Sequence, residues 1–249
     1  MAQEVQPAAL ALKIPARFCG PADSGNGGYS GGRVAAYIDG PATVTLHRPP
    51  PLEVTLAVDR DVDGGVRVRD GAALVAEAQP APDAPPLQSP GPVSPAEIRS
   101  ARPARYFQEP VFPCCFVCGP VRAAGDGLRI FPGQLPGRDL WAASWTPEPS
   151  VAGADGRVPA EIVWAALDCP GGIAAAEAAA LDIPIVLGRM TARLAERPET
   201  GWPCAVVAWP GARTGRKHIA FSALLGPGGE VLAAARAVWL TLPSPAGAS

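Results

Sequence analysis

Two short stretches of this sequence hold residue types suited to chemistry on a carbonyl group. Residues 24–32 read SGNGGYSGG, and the amides of Gly27 and Gly28 would offer N–H donors to an oxyanion if a helix began there. Residues 158–172 are mostly apolar and carry two carboxylates, Glu161 near the start and Asp168 within the apolar run. A buried acid must be hydrogen-bonded or have a shifted pKa, and it can act as a general base or a nucleophile.

These candidates also have ordinary structural explanations. Glycine-rich stretches usually form only a turn before a helix. Asp168 lies two residues before Pro170 and could cap a helix beginning there. The apolar periodicity is unbroken from residue 160, however, and favours a single helix kinked at Pro170.

Asn26 precedes the two glycines and is counted with Gly27, Gly28 and Asp168 as a candidate catalytic residue. Three further polar residues are candidates for binding a substrate: Tyr29, Ser30 and Glu161. Glu161 lies seven residues before Asp168, so two helical turns would place both on one face. A turn serine and a solvated glutamate are the plainer interpretations of Ser30 and Glu161.

The cysteines offer a second kind of chemistry. Cys115 and Cys118 form a Cys-x-x-Cys pair with Cys114 beside it, which is typical of zinc sites. No second pair or nearby histidine follows, and Gly119-Pro120 argues against the helix that a redox motif needs. The sequence therefore favours packed free thiols, and no metal or cofactor site is predicted. Cys169 has no activating histidine in sequence and is a weak candidate nucleophile.

A basic cluster lies near the end of the chain, at Arg213, Arg216, Lys217 and His218. Arginine and lysine can bind phosphates such as those of coenzyme A. Solvated strand ends are the alternative, since no phosphate-binding loop accompanies them.

The elements that must position these residues occur in a repeated order. In each half of the chain, the sequence predicts a strand, a glycine-flanked helix and three or four antiparallel strands. The helix is predicted at 33–38 in the first half and at about 158–180 in the second. Strands are predicted at 10–20, 42–47, 52–60, 65–69, 72–79, 128–131, 140–145, 185–195, 203–209, 217–225 and 230–242. Residues 42–47 correspond to 186–191, 52–60 to 204–213, and 65–79 to 216–239.

A proline-rich stretch separates the halves and contains a short helix capped by Ser94. The predicted domains are 1–80, a linker at 81–112, and 113–249.

Composition narrows the function classes. The 249 residues are 48% apolar with a net charge of -2, which excludes whole-chain disorder and argues against nucleic acid or an anionic membrane as the main partner. The sequence has no run of about 18 apolar residues, so no membrane span is predicted. The start lacks the basic region of a secretory signal, and the six cysteines are too scattered for a disulfide framework. A cytosolic protein is expected.

Two motifs resemble the hotdog thioesterases. Residues 115–120, CFVCGP, followed by GDGLRI at 125–130, are similar to a lead-in found before many thioesterase hotdog domains. Residues 156–168 resemble that family's central helix, with Asp168 at the position of the acid and Pro159 at the position of a histidine nine residues earlier. In the first half, residues 26–28 stand where the family has His-Gly-Gly, and Ala35 stands where it has the acid.

The resemblance implies an α+β double hotdog: two antiparallel sheets, each wrapped around a central helix and packed as a pseudo-dimer. Each half keeps a different part of the site, which implies one composite site. The implied function is hydrolysis of an acyl-CoA or related acyl thioester. The alternative is a non-catalytic hotdog protein that binds such a thioester; a hydratase, which would carry an Asp/His pair, ranks last. Hotdog proteins usually assemble into larger oligomers, so a homodimer of this chain is compatible with the resemblance.

Overall fold

The computed structural model describes residues 10–84 and 86–242 of the chain. Three α-helices are present in this part: α1 Gly27–Ala35, α2 Pro95–Arg99 and α3 Ala160–Ala178. The strands, in chain order, are β1 Leu10–Lys13, β2 Ala42–Leu46, β3 Thr55–Arg60, β4 Val66–Asp70, β5 Ala73–Pro80, β6 Arg102–Pro103, β7 Gly133–Gln134, β8 Trp141–Trp145, β9 Ile185–Leu194, β10 Cys204–Thr214, β11 Lys217–Leu225 and β12 Val231–Thr241. None of the described helices is long and apolar enough to cross a membrane.

All twelve strands belong to one antiparallel sheet, in the order β1-β3-β4-β5-β2-β9-β12-β11-β10-β8-β7-β6. The halves meet at the seam between β2 and β9, where residues 42–45 pair with residues 189–192. Outward from this seam the order is β2-β5-β4-β3-β1 on one side and β9-β12-β11-β10-β8 on the other.

Helices α1 and α3 pack against the sheet and against each other. Helix α1 lies over β2, β5 and β9, while α3 contacts β8 to β12. Helix α3 is apolar almost all round, and a helix of that kind belongs in the interior. Both helices belong to one large hydrophobic core.

A second, smaller core involves α2. Ile98 of α2 and Leu87 and Val93 of the proline-rich segment pack against residues of β8, β10, β11 and β12. The predicted cap of α2 is confirmed, because Ser94 Oγ accepts the N–H of Glu97 and the Glu97 carboxylate accepts the N–H of Ser94. Part of the predicted linker, β6, joins the edge of the sheet.

The prediction of one continuous helix around Pro170 is confirmed, since α3 runs through it. Proline has no N–H, so the carbonyl of Ala166 loses its usual partner in the helix. One residue on, the carbonyl of Leu167 accepts a buried hydrogen bond of 2.6 Å from the hydroxyl of Ser222 in β11. The sheet therefore supplies a donor beside the position of the proline.

We expect Ser222→Ala to lower the free energy of unfolding by about 2 kcal/mol, because it removes a buried donor from the Leu167 carbonyl. Urea unfolding measures this change. Ser144→Ala is the matched control, because Ser144 is an exposed serine of β8 in the same sheet and should change stability by less than about 0.5 kcal/mol. Equal effects of the two substitutions would contradict a structural role of the Ser222 bond.

Two predicted boundaries and one predicted strand are wrong. The first helix begins at Gly27 rather than at residue 33, so the glycines lie inside it. The strand predicted at 128–131 is not formed, because Arg129 has a φ of 54° that no strand allows. The first strand ends at Lys13, and residues 16–18 form a 3-10 turn instead.

Candidate active site

The N-terminus of α1 meets the middle of α3 at Asp168. Asn26 caps α1, and its Oδ1 accepts the N–H of Tyr29 at 2.9 Å. The N–H of Gly28, one residue earlier in the chain, donates to Asp168 Oδ2 at 2.9 Å. The Asn26 side chain donates to the same oxygen at 3.0 Å. Residues from the two halves thus meet at a single carboxylate.

The Asp168 carboxylate is only 2% exposed, and its two oxygens have different surroundings. Oδ2 accepts both donors, whereas Oδ1 is buried without a hydrogen-bond partner among the described residues. A buried oxygen without a donor is costly unless it is protonated or receives a ligand or water.

Burial raises the pKa of Asp168 to about 7. The Gly28 N–H lowers it, the nearby Cys115 raises it further, and the Asn26 amide lowers it. A carboxyl group with a pKa near 7 is partly ionised at neutral pH, which suits a general base.

The glycines of α1 allow the two helices to approach closely. A Cβ on Gly28 would stand 2.4 Å from the Cβ of Asp168 and 2.6 Å from the carbonyl oxygen of Trp164. A Cβ on Gly32 would stand 2.5 Å from the Cα of Glu161. The spacing of four residues between Gly28 and Gly32, which places small residues on one helix face, is the sequence signal for this contact that our sequence analysis missed.

The structure changes the assignment of the oxyanion donor. The N–H of Gly28 is occupied by Asp168 and that of Tyr29 by Asn26, while the N–H of Gly27 has no acceptor among the described residues. Gly27 is half-buried beside Leu187. Of the predicted donors, Gly27 is therefore the one that is free to bind a substrate oxygen.

Ser30 and Tyr29 lie in the first turns of α1. The Ser30 side chain is 1% exposed, and its hydroxyl has no partner in the described part of the chain. The Tyr29 ring stacks on Phe18 at a centroid distance of 3.8 Å, and its hydroxyl accepts a hydrogen bond from Arg33. Tyr29 is thus held by packing, whereas Ser30 retains an unused hydroxyl.

Glu161 and the basic cluster lie away from Asp168. Glu161 packs at Gly32, about 10 Å along α3 from Asp168. Arg213, Arg216 and Lys217 are exposed at the turn between β10 and β11, with Arg216 bonded to the Thr241 carbonyl.

His218 is buried, and its Nε2 has no partner within the described ranges. Burial and the nearby Arg213 lower its pKa. It stands four residues along β11 from Ser222, the residue that contacts α3 next to Asp168, and this is about 13 Å of strand. The structure does not bring His218 to the carboxylate.

A cluster of three sulfur atoms lies on the other side of Asn26. The Sγ atoms of Cys115, Cys118 and Cys169 are all within 4.8 Å of one another. The Asn26 amide is 3.6 Å from Cys169 Sγ and 3.8 Å from Cys115 Sγ. Sequence analysis missed Cys169 as a member, because α3 brings it to the pair from 51 residues further along the chain.

A surface groove of about 510 Å³ lies elsewhere, between α2 and β8. Its lining includes Ile98, Phe107 and Phe131, and none of the residues around Asp168 contributes to it.

No protein-family profile matches the sequence, and no curated protein matches it significantly. Solved structures do match over nearly the whole chain. A candidate thioesterase II from Thermobifida fusca superposes with a TM-score of 0.64 at 14% identity, covering 96% of this chain and 94% of that one. A tesB protein of Mycobacterium avium subspecies paratuberculosis gives 0.62 at 13% identity, with coverages of 97% and 95%.

A third match is a protein of unknown function with a hot dog fold from Alicyclobacillus acidocaldarius, with a TM-score of 0.56 at 11% identity and coverages of 94% and 93%. The chain has a hotdog fold. In hotdog terms, α1 and α3 are the helices that the antiparallel sheet wraps, and the Asp168 site lies where these two helices touch.

Proposed function

We propose that this hotdog protein hydrolyses acyl thioesters at Asp168. The observation that carries the proposal is the buried carboxylate of α3 beside the N-terminus of α1, with Oδ1 unpartnered and a pKa near 7. The structural neighbours described as thioesterases support the same reaction class.

The proposed reaction is a direct attack by water. Asp168 takes a proton from the water as its oxygen bonds to the thioester carbon, and the carbonyl oxygen becomes an oxyanion held by the N–H of Gly27. The C–S bond then breaks, Asp168 passes the proton it took from the water to the leaving sulfur, and a carboxylic acid and a thiol leave. Asn26 and the Gly28 N–H hold the other carboxylate oxygen in place.

The arrangement supports a double hotdog as the finer description of the fold. The strand order mirrors itself about the β2–β9 seam, and each side has one helix on the sheet. We place the N-terminal hotdog at 1–80, the linker at 81–112 and the C-terminal hotdog at 113–249; residues 1–9, 85 and 243–249 of these ranges lie outside the described residues. On this basis one composite site uses Asn26, Gly27 and Gly28 from one half and Asp168 from the other, while Ala35 leaves the mirror position without an acid.

Coenzyme A is the thiol carrier that we propose. Its phosphates and its thioester are far apart in an extended molecule, so the exposed cations Arg213, Arg216 and Lys217 can bind phosphate away from Asp168. Six unpaired cysteines suit a reducing, cytosolic compartment.

The second candidate function is thioester binding without turnover. Two observations favour it. The N–H of Gly28 already bonds to Asp168 and so cannot bind a substrate oxygen, and the Asp168 carboxylate is almost fully buried. Ser30 and Tyr29 would then line a binding site rather than a catalytic one.

A panel of acyl-CoA thioesters of increasing chain length, followed by thiol release, tests the proposal. We expect turnover of at least one member. When the same acyl group is carried by pantetheine instead of coenzyme A, KM should be higher and kcat should be unchanged. An Arg213→Ala, Lys217→Ala double variant should raise KM for the coenzyme A ester alone. Binding of the esters without thiol release at any chain length would favour the second candidate.

A further inference from the structure

The sulfur cluster beside the proposed active site has the geometry of a metal-binding site. Cys115 Sγ and Cys169 Sγ are 3.6 Å apart, and all three Sγ atoms lie within 4.8 Å of one another. Sulfur ligands of a tetrahedral Zn²⁺, at about 2.3 Å from the metal, stand roughly 3.8 Å from one another. The three sulfurs are therefore close to the spacing that one ion requires.

The backbone after Cys115 forms a tight turn. The N–H of Gly119 donates to the Cys115 carbonyl at 2.9 Å. A Cβ on Gly119 would stand 2.5 Å from that carbonyl oxygen, so the turn requires glycine. A turn between two cysteines spaced as Cys-x-x-Cys is the arrangement that brings two sulfurs to one metal ion.

Polar groups also lie beside the other two sulfurs. The Asn26 amide lies 3.6 Å from Cys169 Sγ. The Cys118 thiol donates to the Tyr106 hydroxyl at 3.8 Å, and that hydroxyl also accepts the N–H of Phe112. The cluster is therefore not surrounded by apolar groups alone.

We propose that Cys115, Cys118 and Cys169 together bind one thiophilic divalent cation of the Zn²⁺ type. The three thiols lose their protons on binding, and a small exogenous ligand such as water takes the fourth position. The ion would link α3, at Cys169, to the segment that carries Cys115 and Cys118 before β7. It would thereby fix the position of Asp168, which adjoins Cys169 in the chain. The proposal stands independently of thioester hydrolysis.

Cobalt substitution tests this site without an activity assay. Full-length protein is stripped with a chelator, kept reduced and titrated with Co²⁺ alone. We expect thiolate-to-cobalt charge-transfer absorption that saturates at one ion per chain and disappears when Zn²⁺ is added. Cys115→Ser, Cys118→Ser and Cys169→Ser should each weaken cobalt binding at least tenfold.

Cys114→Ser is the matched control, because Cys114 adjoins the cluster in sequence while its sulfur faces Cys19 at 3.9 Å. It should bind cobalt as the unmodified protein does. Circular dichroism checks that each variant is folded.

A second measurement uses the unmodified chain, so it stands even if a variant fails to fold. Alkylation in a low concentration of urea, followed by peptide mapping, should show that Zn²⁺ slows modification of Cys115, Cys118 and Cys169 relative to the metal-free chain, while the rate at Cys114 is unchanged. The proposal is overturned if cobalt gives no thiolate absorption, if Cys114→Ser removes it, or if mapping finds Cys115 and Cys169 joined in a disulfide in freshly prepared protein.

Discussion

Asp168→Asn is expected to lower kcat for thioester hydrolysis by roughly 10²–10⁴-fold, because the amide cannot take a proton from the attacking water. The side chain keeps its shape, and its carbonyl oxygen can still accept the N–H of Gly28 that now bonds to Oδ2. The helices should therefore stay in place, and KM should change little. Steady-state thiol release gives both constants.

Asp182→Asn is the matched control for this substitution. Asp182 is an exposed aspartate shortly after the end of α3, so its loss should leave kcat and KM unchanged. If Asp168→Asn retains the full kcat on a substrate that the unmodified protein turns over, Asp168 is not the base and the carboxylate is structural.

Gly28→Ala should lower the free energy of unfolding by about 3 kcal/mol, because the added methyl group has no room between α1 and α3. The added carbon would lie 2.6 Å from the backbone carbonyl of Trp164 and 3.0 Å from the Cα of Ala165, neither of which can rotate away. It would also meet the Cβ of Asp168, so hydrolysis should fall as well. Thermal and urea unfolding measure the loss of stability.

Gly31→Ala controls for adding a methyl group to the same helix. Its nearest neighbour would be the ring of Trp164 at 3.3 Å, a side chain that can shift slightly. Alanine also favours the helix over glycine by about 1 kcal/mol, so the net change should be within about 1 kcal/mol. A Gly28→Ala protein as stable as the Gly31→Ala protein would show that α1 can move away from α3.

Strands and the long helix could be predicted because their apolar periodicity records which faces are buried. This periodicity located β11 at Lys217–Leu225 and a continuous α3 despite Pro170. The prediction of α1 was poor for a different reason. Glycine disfavours an isolated helix, and only the contact with α3 makes it necessary there, which is information that local sequence does not carry.

The candidate site shows the same division. The sequence singled out Asp168, Gly27 and Gly28, and the structure places the first and last of these in direct contact. The sequence predicted the amides of both Gly27 and Gly28 as donors. Which of the two remains free depends on a hydrogen bond between segments 140 residues apart, and local sequence does not carry that information. Cys169 was missed for the same reason, since metal ligands are recognised in sequence only when they are close in the chain.

The seam between β2 and β9 has a consequence for how the molecule opens. Residues 42–45 and 189–192 are paired across it, Thr43 and Thr191 share a hydrogen bond of 2.8 Å, and Val44 and Met190 are almost fully buried. Neither half can detach without breaking this ladder, so amide exchange at the seam should report the same cooperative opening from both sides. Because Asn26 and Asp168 come from opposite sides of the seam, the same opening also ends their contact.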